Sequence, residues 1–145
     1  MPVICGKINY PGNDKNTLEA QSAFKILQQL LTERFSKNSA CTQILDGDDG
    51  SSILIAISLN ALEAKKIAVS LETNHTLGRI FDIDVYAEEG RPIGRENLDM
   101  ESRRCIICHG DARVCMRTGG HNFKEVVDRV NQLIHDYTSL EVNKP

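Results

Sequence analysis

Asparagine followed three residues later by glutamate occurs at three informative places in this sequence: Asn16 with Glu19, Asn60 with Glu63, and Asn122 with Glu125. An asparagine side chain can accept the first free N–H groups of a helix, and a glutamate in the first turn reinforces that start. Each pair leads into apolar residues at helical spacing. The pattern predicts three amphipathic helices, of which the first ends near Lys37 and the second near Thr73.

Short β-rich segments separate these helices. Residues 3–9 predict a strand that ends at the turn Pro11-Gly12, and residues 41–46 and 52–58 predict a hairpin around a polar turn. Arg79–Tyr86 predicts a fourth strand. The order β-α-β-β-α-β, followed by a cysteine-bearing loop and a C-terminal helix, is typical of an α+β fold with a ferredoxin-like core, whose helices cover one face of an antiparallel sheet.

Length and charge narrow the class of protein. A chain of 145 residues predicts one domain. Its net charge of −3 argues against a general nucleic-acid-binding protein, which carries a basic surplus. No stretch approaches the roughly 20 apolar residues that a membrane span needs, and the first residues lack the pattern of a secretory signal. We therefore expect a cytoplasmic protein with no nucleic-acid or membrane partner.

Two aspartates alternate with apolar residues in the fourth predicted strand. Side chains alternate between the faces of a strand, so Asp82 and Asp84 share one face while the apolar residues share the other. Like charges held that close repel unless a cation compensates them. Mg²⁺ is commonly held by one or two carboxylates together with substrate phosphates. A solvated strand face is the other explanation, and spacing alone favours it.

Three cysteines and a histidine follow in a C-x2-C-x6-C-x5-H series: Cys105, Cys108, Cys115 and His121. Four such ligands with a tight first pair suit tetrahedral zinc, although the later spacing is less standard and His109 is a competing ligand. A redox pair or three buried thiols are alternatives. The pattern leaves all three open.

Basic residues concentrate around the same segment, at Arg95, Arg103, Arg104, Arg113 and Arg117. A guanidinium group donates two hydrogen bonds at once to a phosphate, so clustered arginines favour an anion site. Acidic neighbours could equally pair with them in an exposed loop. Charge pattern alone does not separate the two readings.

Two more residues have both a functional and an ordinary explanation. Lys15 lies just after the Pro-Gly turn, where it could reach a phosphate or simply remain exposed. His75 lies at the predicted end of the second helix, where the helix dipole favours a histidine. A catalytic base is the sharper interpretation of His75.

Longer runs carry a resemblance. His75–Val85 (HTLGRIFDIDV) is similar to a glycine-arginine-x-x-aspartate-x-aspartate-valine signature. Arg103–Cys108 (RRCIIC), with Cys115-Met-Arg117 and His121, is similar to a second signature, and Asn9–Lys15 (NYPGNDK) resembles an N-terminal turn. These segments, which span nearly the whole chain, together resemble the apo-citrate lyase phosphoribosyl-dephospho-CoA transferases.

The resemblance implies a reaction and roles for residues. It implies transfer of a triphosphoribosyl-dephospho-CoA unit to a serine of the citrate lyase acyl carrier subunit, with release of pyrophosphate. It further implies that Asp82 and Asp84 hold a divalent cation, with Mg²⁺ expected, and that His75 accepts the serine proton. The implied phosphate contacts are Lys15, Arg79, Arg95, Arg104 and Arg117.

Family members usually begin with a basic helix before the first strand, whereas here that strand starts close behind Met1. We therefore expect a single transferase domain over residues 1–145 without that helix. Two alternatives remain open: a small zinc-stabilised binding module, and a catalytically inactive family member that binds the carrier subunit.

Overall fold

The fold is that of a computed structural model, which describes residues 1–98, 100 and 103–142, without the side chains of residues 116, 117, 141 and 142. Its strands are β1 (Val3–Ile8), β2 (Ser39–Leu45), β3 (Ser52–Ile57) and β4 (Phe81–Tyr86). Its helices are α1 (Leu18–Arg34), α2 (Ala61–Asn74), α3 (Ala112–Thr118) and α4 (Phe123–Val142), and Gly78–Ile80 and Arg95–Leu98 form 3-10 turns.

The four strands form one sheet in the order β2-β3-β1-β4, and every neighbouring pair is antiparallel. β1 lies between two partners, so Cys5 is opposite Leu54 of β3 and Asp84 of β4. The α+β class expected from the sequence is confirmed. Every residue of β2 is exposed, because the core covers only the rest of the sheet.

The core lies on one face of the sheet. Ile4, Ile53 and Ile83 are fully buried there, each from a different strand. Gly6 shares this face, and a Cβ atom at Gly6 would lie only 2.5 Å from Leu31 Cδ1 of α1. The glycine therefore lets the helix pack close to the sheet. The opposite face, called the outer face below, carries Cys5, Lys7, Asp82, Asp84 and Tyr86.

Two of the three predicted helix starts are confirmed. Asn60 accepts hydrogen bonds from the N–H groups of Leu62 and Glu63, and Asn122 accepts one from Glu125. The first prediction was wrong by one residue, because Thr17 caps α1 by accepting the N–H of Ala20. The Asn16 amide instead donates to the carbonyl of Gly47 in the β2–β3 turn, 3.0 Å away.

Two boundaries near the site also differ from the prediction. The fourth strand begins at Phe81 rather than Arg79, because Gly78–Ile80 forms a 3-10 turn. Part of the predicted cysteine loop is helical: α3 is capped by Asp111 and ends at Gly119, whose φ of 61° suits a glycine. Within the described ranges, no helix combines the length and apolar character needed to cross a membrane.

Candidate active site

Asp82 and Asp84 lie half-buried on the outer face of β4, and the residues that alternate with them, Phe81, Ile83 and Val85, face the core. The strand alternation predicted from the sequence therefore holds. Burial and the negative charge of Asp84 raise the pKa of the Asp82 carboxyl, while Lys7 and Arg103 oppose that rise. The positive charges of Lys7 and Arg103 therefore do not fully compensate this carboxylate pair.

The negative charge of Asp84 also raises the pKa values of two neighbouring groups, Cys5 and Tyr86. Burial, and then the charge of Asp84, raise the pKa of the Cys5 thiol. The charge of Asp84 is the main cause that raises the pKa of Tyr86. Each of these groups is therefore harder to ionise beside the carboxylates, which makes the outer face near Asp84 a region that attracts cations.

A cavity of about 720 Å³ opens between the C-terminal half of α2, the segment after β4, and α4. Its lining is rich in cations and includes one buried carboxylate, Glu72. A second cavity of about 470 Å³ is lined by Asp82 and Asp84. Both cavities share a set of walls: Glu72, Arg79, Arg95, Met100 and Arg103. The carboxylates and the arginines thus border the same adjoining spaces.

Arg79 ties this region to the cysteine segment. Its Nε donates to the carbonyl oxygen of Arg104, while Arg103 Nη2 donates to the carbonyls of Gly78 and Arg79 at 3.1 and 2.9 Å. Burial, and then the nearby charge of Arg103, lower the pKa of Arg79. An anion bound here would relieve that repulsion.

Gly78 explains how the turn reaches this position. A Cβ atom at Gly78 would overlap the backbone carbonyl of Glu72, at the end of α2. A glycine therefore lets the 3-10 turn pack directly against the helix, which aims Arg79 into the cavities.

The three cysteines and His121 come together as a second cluster. Their ligand atoms all lie within 4.8 Å of one another, and the Sγ atoms of Cys108 and Cys115 are 3.5 Å apart. The turn is built by the N–H of Cys105 donating to Gly110 O and the N–H of His109 donating to Cys105 O. The cluster can hold a metal ion.

Protonation within this cluster is uneven. The N–H of Gly110 and the imidazole of His121 lower the pKa of Cys108 to about 6, while Cys108 and Cys105 raise the pKa of Cys115 to about 12. His121 Nε2 is buried and has no hydrogen-bond partner in the described part of the chain. Its Nδ1 lies 3.7 Å from Glu125 Oε1. A carboxylate on the second ring nitrogen is the usual support of a metal-binding histidine.

Sequence comparison decides the family. A sequence model described as apo-citrate lyase phosphoribosyl-dephospho-CoA transferase matches residues 1–137. The chain belongs to this family. A Vibrio cholerae serotype O1 protein, named as a probable apo-citrate lyase phosphoribosyl-dephospho-CoA transferase, is 25% identical over 142 residues, covering 95% of this chain and 80% of the relative.

Two further relatives match over other proportions. The Leuconostoc mesenteroides subsp. cremoris protein CitXG is 28% identical over 142 residues, which are 96% of this chain and 30% of that protein. The apo-citrate lyase phosphoribosyl-dephospho-CoA transferase of Escherichia coli O7:K1 is 34% identical over 90 residues, which are 62% of this chain and 49% of the relative.

The structure brings most of the family-derived candidates together. The 470 Å³ cavity, called the acidic cavity below, is lined by Asp82, Asp84, Arg79 and Arg95. The 720 Å³ cavity, called the basic cavity, is lined by His75 and Arg104 together with Arg79 and Arg95. Lys15 lies elsewhere: its amine donates to the carbonyl of Tyr10 and it lines a small cavity beside the β2–β3 turn. Arg117 is in α3, but its side chain lies outside the described part of the structure.

His75 is held by backbone and ring contacts. It ends α2, and its Nδ1 accepts the N–H of Leu77 at 2.9 Å. Its ring lies 5.0 Å from that of Phe81 and 5.1 Å from that of Tyr137, centre to centre. Because Nδ1 accepts, the proton of a neutral ring is on Nε2. In the neutral ring, Nε2 is therefore the donor and Nδ1 the acceptor.

Sequence reasoning missed Glu72 and Lys65, the two buried charged residues of the described chain. They stand seven residues apart on α2, on the stripe that also carries Ala64 and Ala68. A charged residue within the apolar stripe of a helix was the available signal.

Proposed function

We propose that this chain transfers the triphosphoribosyl-dephospho-CoA precursor to a serine of the citrate lyase acyl carrier subunit and releases pyrophosphate. One observation supports this most: in a member of this family, two half-buried carboxylates and Arg79, Arg95 and Arg103 line adjoining cavities. Phosphoryl transfer needs positioning and charge neutralisation more than covalent help from the protein, and these groups supply both.

The bond changes follow from the substrates. The serine oxygen attacks the phosphorus next to the ribose, the bond from that phosphorus to the bridging oxygen of pyrophosphate breaks, and the serine proton is lost. The product is a phosphodiester between the serine and the prosthetic group. Charge accumulates on the departing pyrophosphate, so donors around the leaving group lower the barrier most.

Asp82 and Asp84 are the proposed ligands of a divalent cation, with Mg²⁺ the expected ion. The raised pKa of Asp82 and the negative field at Cys5 and Tyr86 support a cation at this place. When bound, the cation would neutralise charge on the phosphate oxygens. The carboxylates would hold it in the acidic cavity, which Arg79, Arg95 and Arg103 also line.

The arginines would bind the phosphates. Arg79 borders both cavities and is already repelled by Arg103, so a polyphosphate chain between them is favoured. Arg95 and Arg104 extend the same wall. Arg117 and Lys15 stay proposed contacts, and Lys15 would have to leave its bond to Tyr10 O to take part.

His75 is our candidate for the proton step. It lines the basic cavity, but its Nδ1 is occupied by the Leu77 N–H. A role as base at Nδ1 requires that bond to open. We propose that His75 contacts the reacting groups and that the serine proton passes to it after this bond is exchanged.

We also propose zinc in the cluster of Cys105, Cys108, Cys115 and His121. The donor set is that of a closed structural zinc site. The buried Nε2 of His121 fits a metal ligand, because it has no hydrogen-bond partner among the described residues. A low pKa at Cys108 supplies a thiolate at neutral pH. Zinc here would hold the segment that carries Arg103 and Arg104.

For the fold, we infer a ferredoxin-like core in a single domain, supported by the strand order β2-β3-β1-β4 and by two helices that follow β1 and β3. A cytoplasmic location is supported by five cysteines with free thiols. The carrier subunit of citrate lyase is the proposed protein partner.

Mass spectrometry of the carrier subunit tests the proposed function. The apo carrier is incubated with this protein, Mg²⁺ and the triphosphoribosyl precursor, and its mass should rise by the precursor minus pyrophosphate. A carrier with its acceptor serine replaced by alanine is the control. A carrier that stays unmodified at stoichiometric amounts of this protein would contradict transfer, and binding without modification would favour the inactive or purely binding alternatives.

A further inference from the structure

Glu72 is a buried carboxylate that the proposed chemistry does not use. Its side chain is 4% exposed, and it lies on the face of α2 that also carries buried Lys65. A buried charge costs free energy unless it is paired and hydrogen-bonded. The partners of Glu72 therefore show what the residue holds in place.

One oxygen of Glu72 binds the strand that carries the two aspartates. Its Oε2 accepts the N–H of Ile83 at 3.0 Å, and Ile83 stands between Asp82 and Asp84. Lys65 Nζ donates to the carbonyl of the same residue at 3.4 Å. Both backbone polar groups of Ile83 are thus fixed by side chains of α2.

Glu72 also contacts two arginines that line the cavities. Glu72 Oε1 accepts from Arg95 Nη2 at 2.8 Å, and Arg103 Nη1 lies 3.9 Å from Oε2. Arg95 and Arg103 are each about one fifth exposed, so both reach the cavities. Glu72 holds Arg95 by a hydrogen bond and contacts Arg103 as an ion pair without one. Charge-assisted hydrogen bonds of this kind fix direction as well as distance.

We propose that Glu72 is a positioning residue for polyphosphate binding: its hydrogen bonds hold Arg95 in a fixed position relative to the strand of Asp82 and Asp84, and its charge attracts Arg103 to the same place. The triphosphate of the substrate then meets donors that are already oriented, and less ordering is required on binding. The inference rests on the proposed function, because the arginines matter to catalysis only if a polyphosphate occupies the cavities.

The sign of the effect separates positioning from simple charge balance. Glu72 is a negative charge among cations, so by Coulomb's law its removal should strengthen anion binding. If its main role is to orient the arginines, its removal should weaken anion binding instead. The two explanations therefore predict opposite changes for the same substitution.

Two variants of the full chain test this. Glu72→Gln keeps an oxygen for the Ile83 N–H and removes the charge. Glu72→Asp keeps the charge, but its side chain is one methylene shorter and cannot reach both Ile83 and Arg95. Glu63→Gln, an exposed position on the same helix, is the matched control. Calorimetric binding of inorganic triphosphate with Mg²⁺, transfer kinetics and thermal unfolding are measured for each.

We expect both Glu72 variants to bind triphosphate about tenfold more weakly and to show a matching rise in KM, with kcat little changed. Glu63→Gln should bind triphosphate and catalyse transfer as the wild type does. Unchanged or tighter triphosphate binding by folded Glu72→Gln or Glu72→Asp overturns the positioning role and leaves the proposed function standing. No triphosphate binding by the wild type overturns the anion site, and with it both the positioning role and the proposed function.

Discussion

Lys7 and Asp82 stand opposite each other across β1 and β4, on the outer face of the sheet. The lysine lowers the pKa of the Asp82 carboxyl, but burial and Asp84 outweigh it and the pKa remains raised. A directly opposed lysine thus fails to satisfy the carboxylate pair. A multivalent cation would satisfy it better, and the first two predictions follow from this.

Asp84→Asn should lower the transfer rate by about a hundredfold or more, because it keeps the side-chain volume and removes a proposed cation ligand. The thermal unfolding midpoint should stay near that of the wild type. Asp49→Asn, in the exposed β2–β3 turn, is the control for loss of one aspartate. Near-normal turnover by Asp84→Asn would remove the aspartate pair from the proposed mechanism. We expect Asp82→Asn to be similarly impaired.

The raised pKa of Asp82 should make the free energy of unfolding depend on pH. Its folded pKa is raised, so the folded protein binds more protons than the unfolded chain between the ordinary carboxyl pKa and the raised one. In the absence of Mg²⁺, its contribution to the free energy of unfolding should therefore fall as pH rises through that window. Asp82→Asn should remove this fall. Denaturant unfolding across the window measures it, and parallel curves for the two proteins would contradict the assignment.

Arg79→Ala should raise KM for the precursor by about tenfold or more, because one charge-assisted contact to phosphate is lost. Arg91→Ala is the matched control, since Arg91 is an exposed arginine that pairs with Glu89 on the surface. Steady-state kinetics with the precursor as the varied substrate give the answer. An equal KM for the two variants would mean that Arg79 does not contact the phosphates.

The cysteine cluster should carry about one zinc per chain in protein purified without chelator. Cys108→Ser should lose the metal and unfold at a lower temperature, because metal binding contributes to folding free energy. Cys41→Ser, an exposed thiol on β2, should keep both. Elemental analysis measures the zinc, and thermal unfolding measures the stability. Wild-type protein without zinc would contradict the metal site and favour a packing or redox role for the thiols.

Local patterns in the sequence predicted the elements that depend on local chemistry. The alternation around Asp82 and Asp84 placed both on one face, because a strand has a fixed period of two. Asn60 and Asn122 marked true helix starts, because a cap bonds to N–H groups only two or three residues away. The first start is shifted by one residue: Thr17 accepts the N–H of Ala20, while the Asn16 amide nitrogen donates to the carbonyl of Gly47 in a distant turn.

What the sequence could not provide depends on packing between distant segments. Glu72 lies 11 positions from Ile83 and 23 from Arg95, and only the docking of α2 beside β4 brings the three together. Helix α3 was missed because its seven residues form only about two turns in a basic, cysteine-rich stretch without an apolar stripe. The close approach of Cys105 and His121 likewise depends on the turn and helix α3 between them, which the spacing of the residues does not reveal.

The two edge strands of the sheet, β2 and β4, differ in how open they are to pairing with another molecule. At the β4 margin, Lys65 and Glu72 occupy the backbone groups of Ile83, and the N–H of Ile93 occupies Val85 O. At the other margin, β2 has no charged residue and no proline in Ser39–Leu45, and within the described ranges it pairs only with β3. Uncharged exposed edges of this kind are templates for strand addition. We therefore expect aggregation of concentrated protein to begin at β2. Thr42→Lys, which places a charge on this edge strand, should reduce that aggregation.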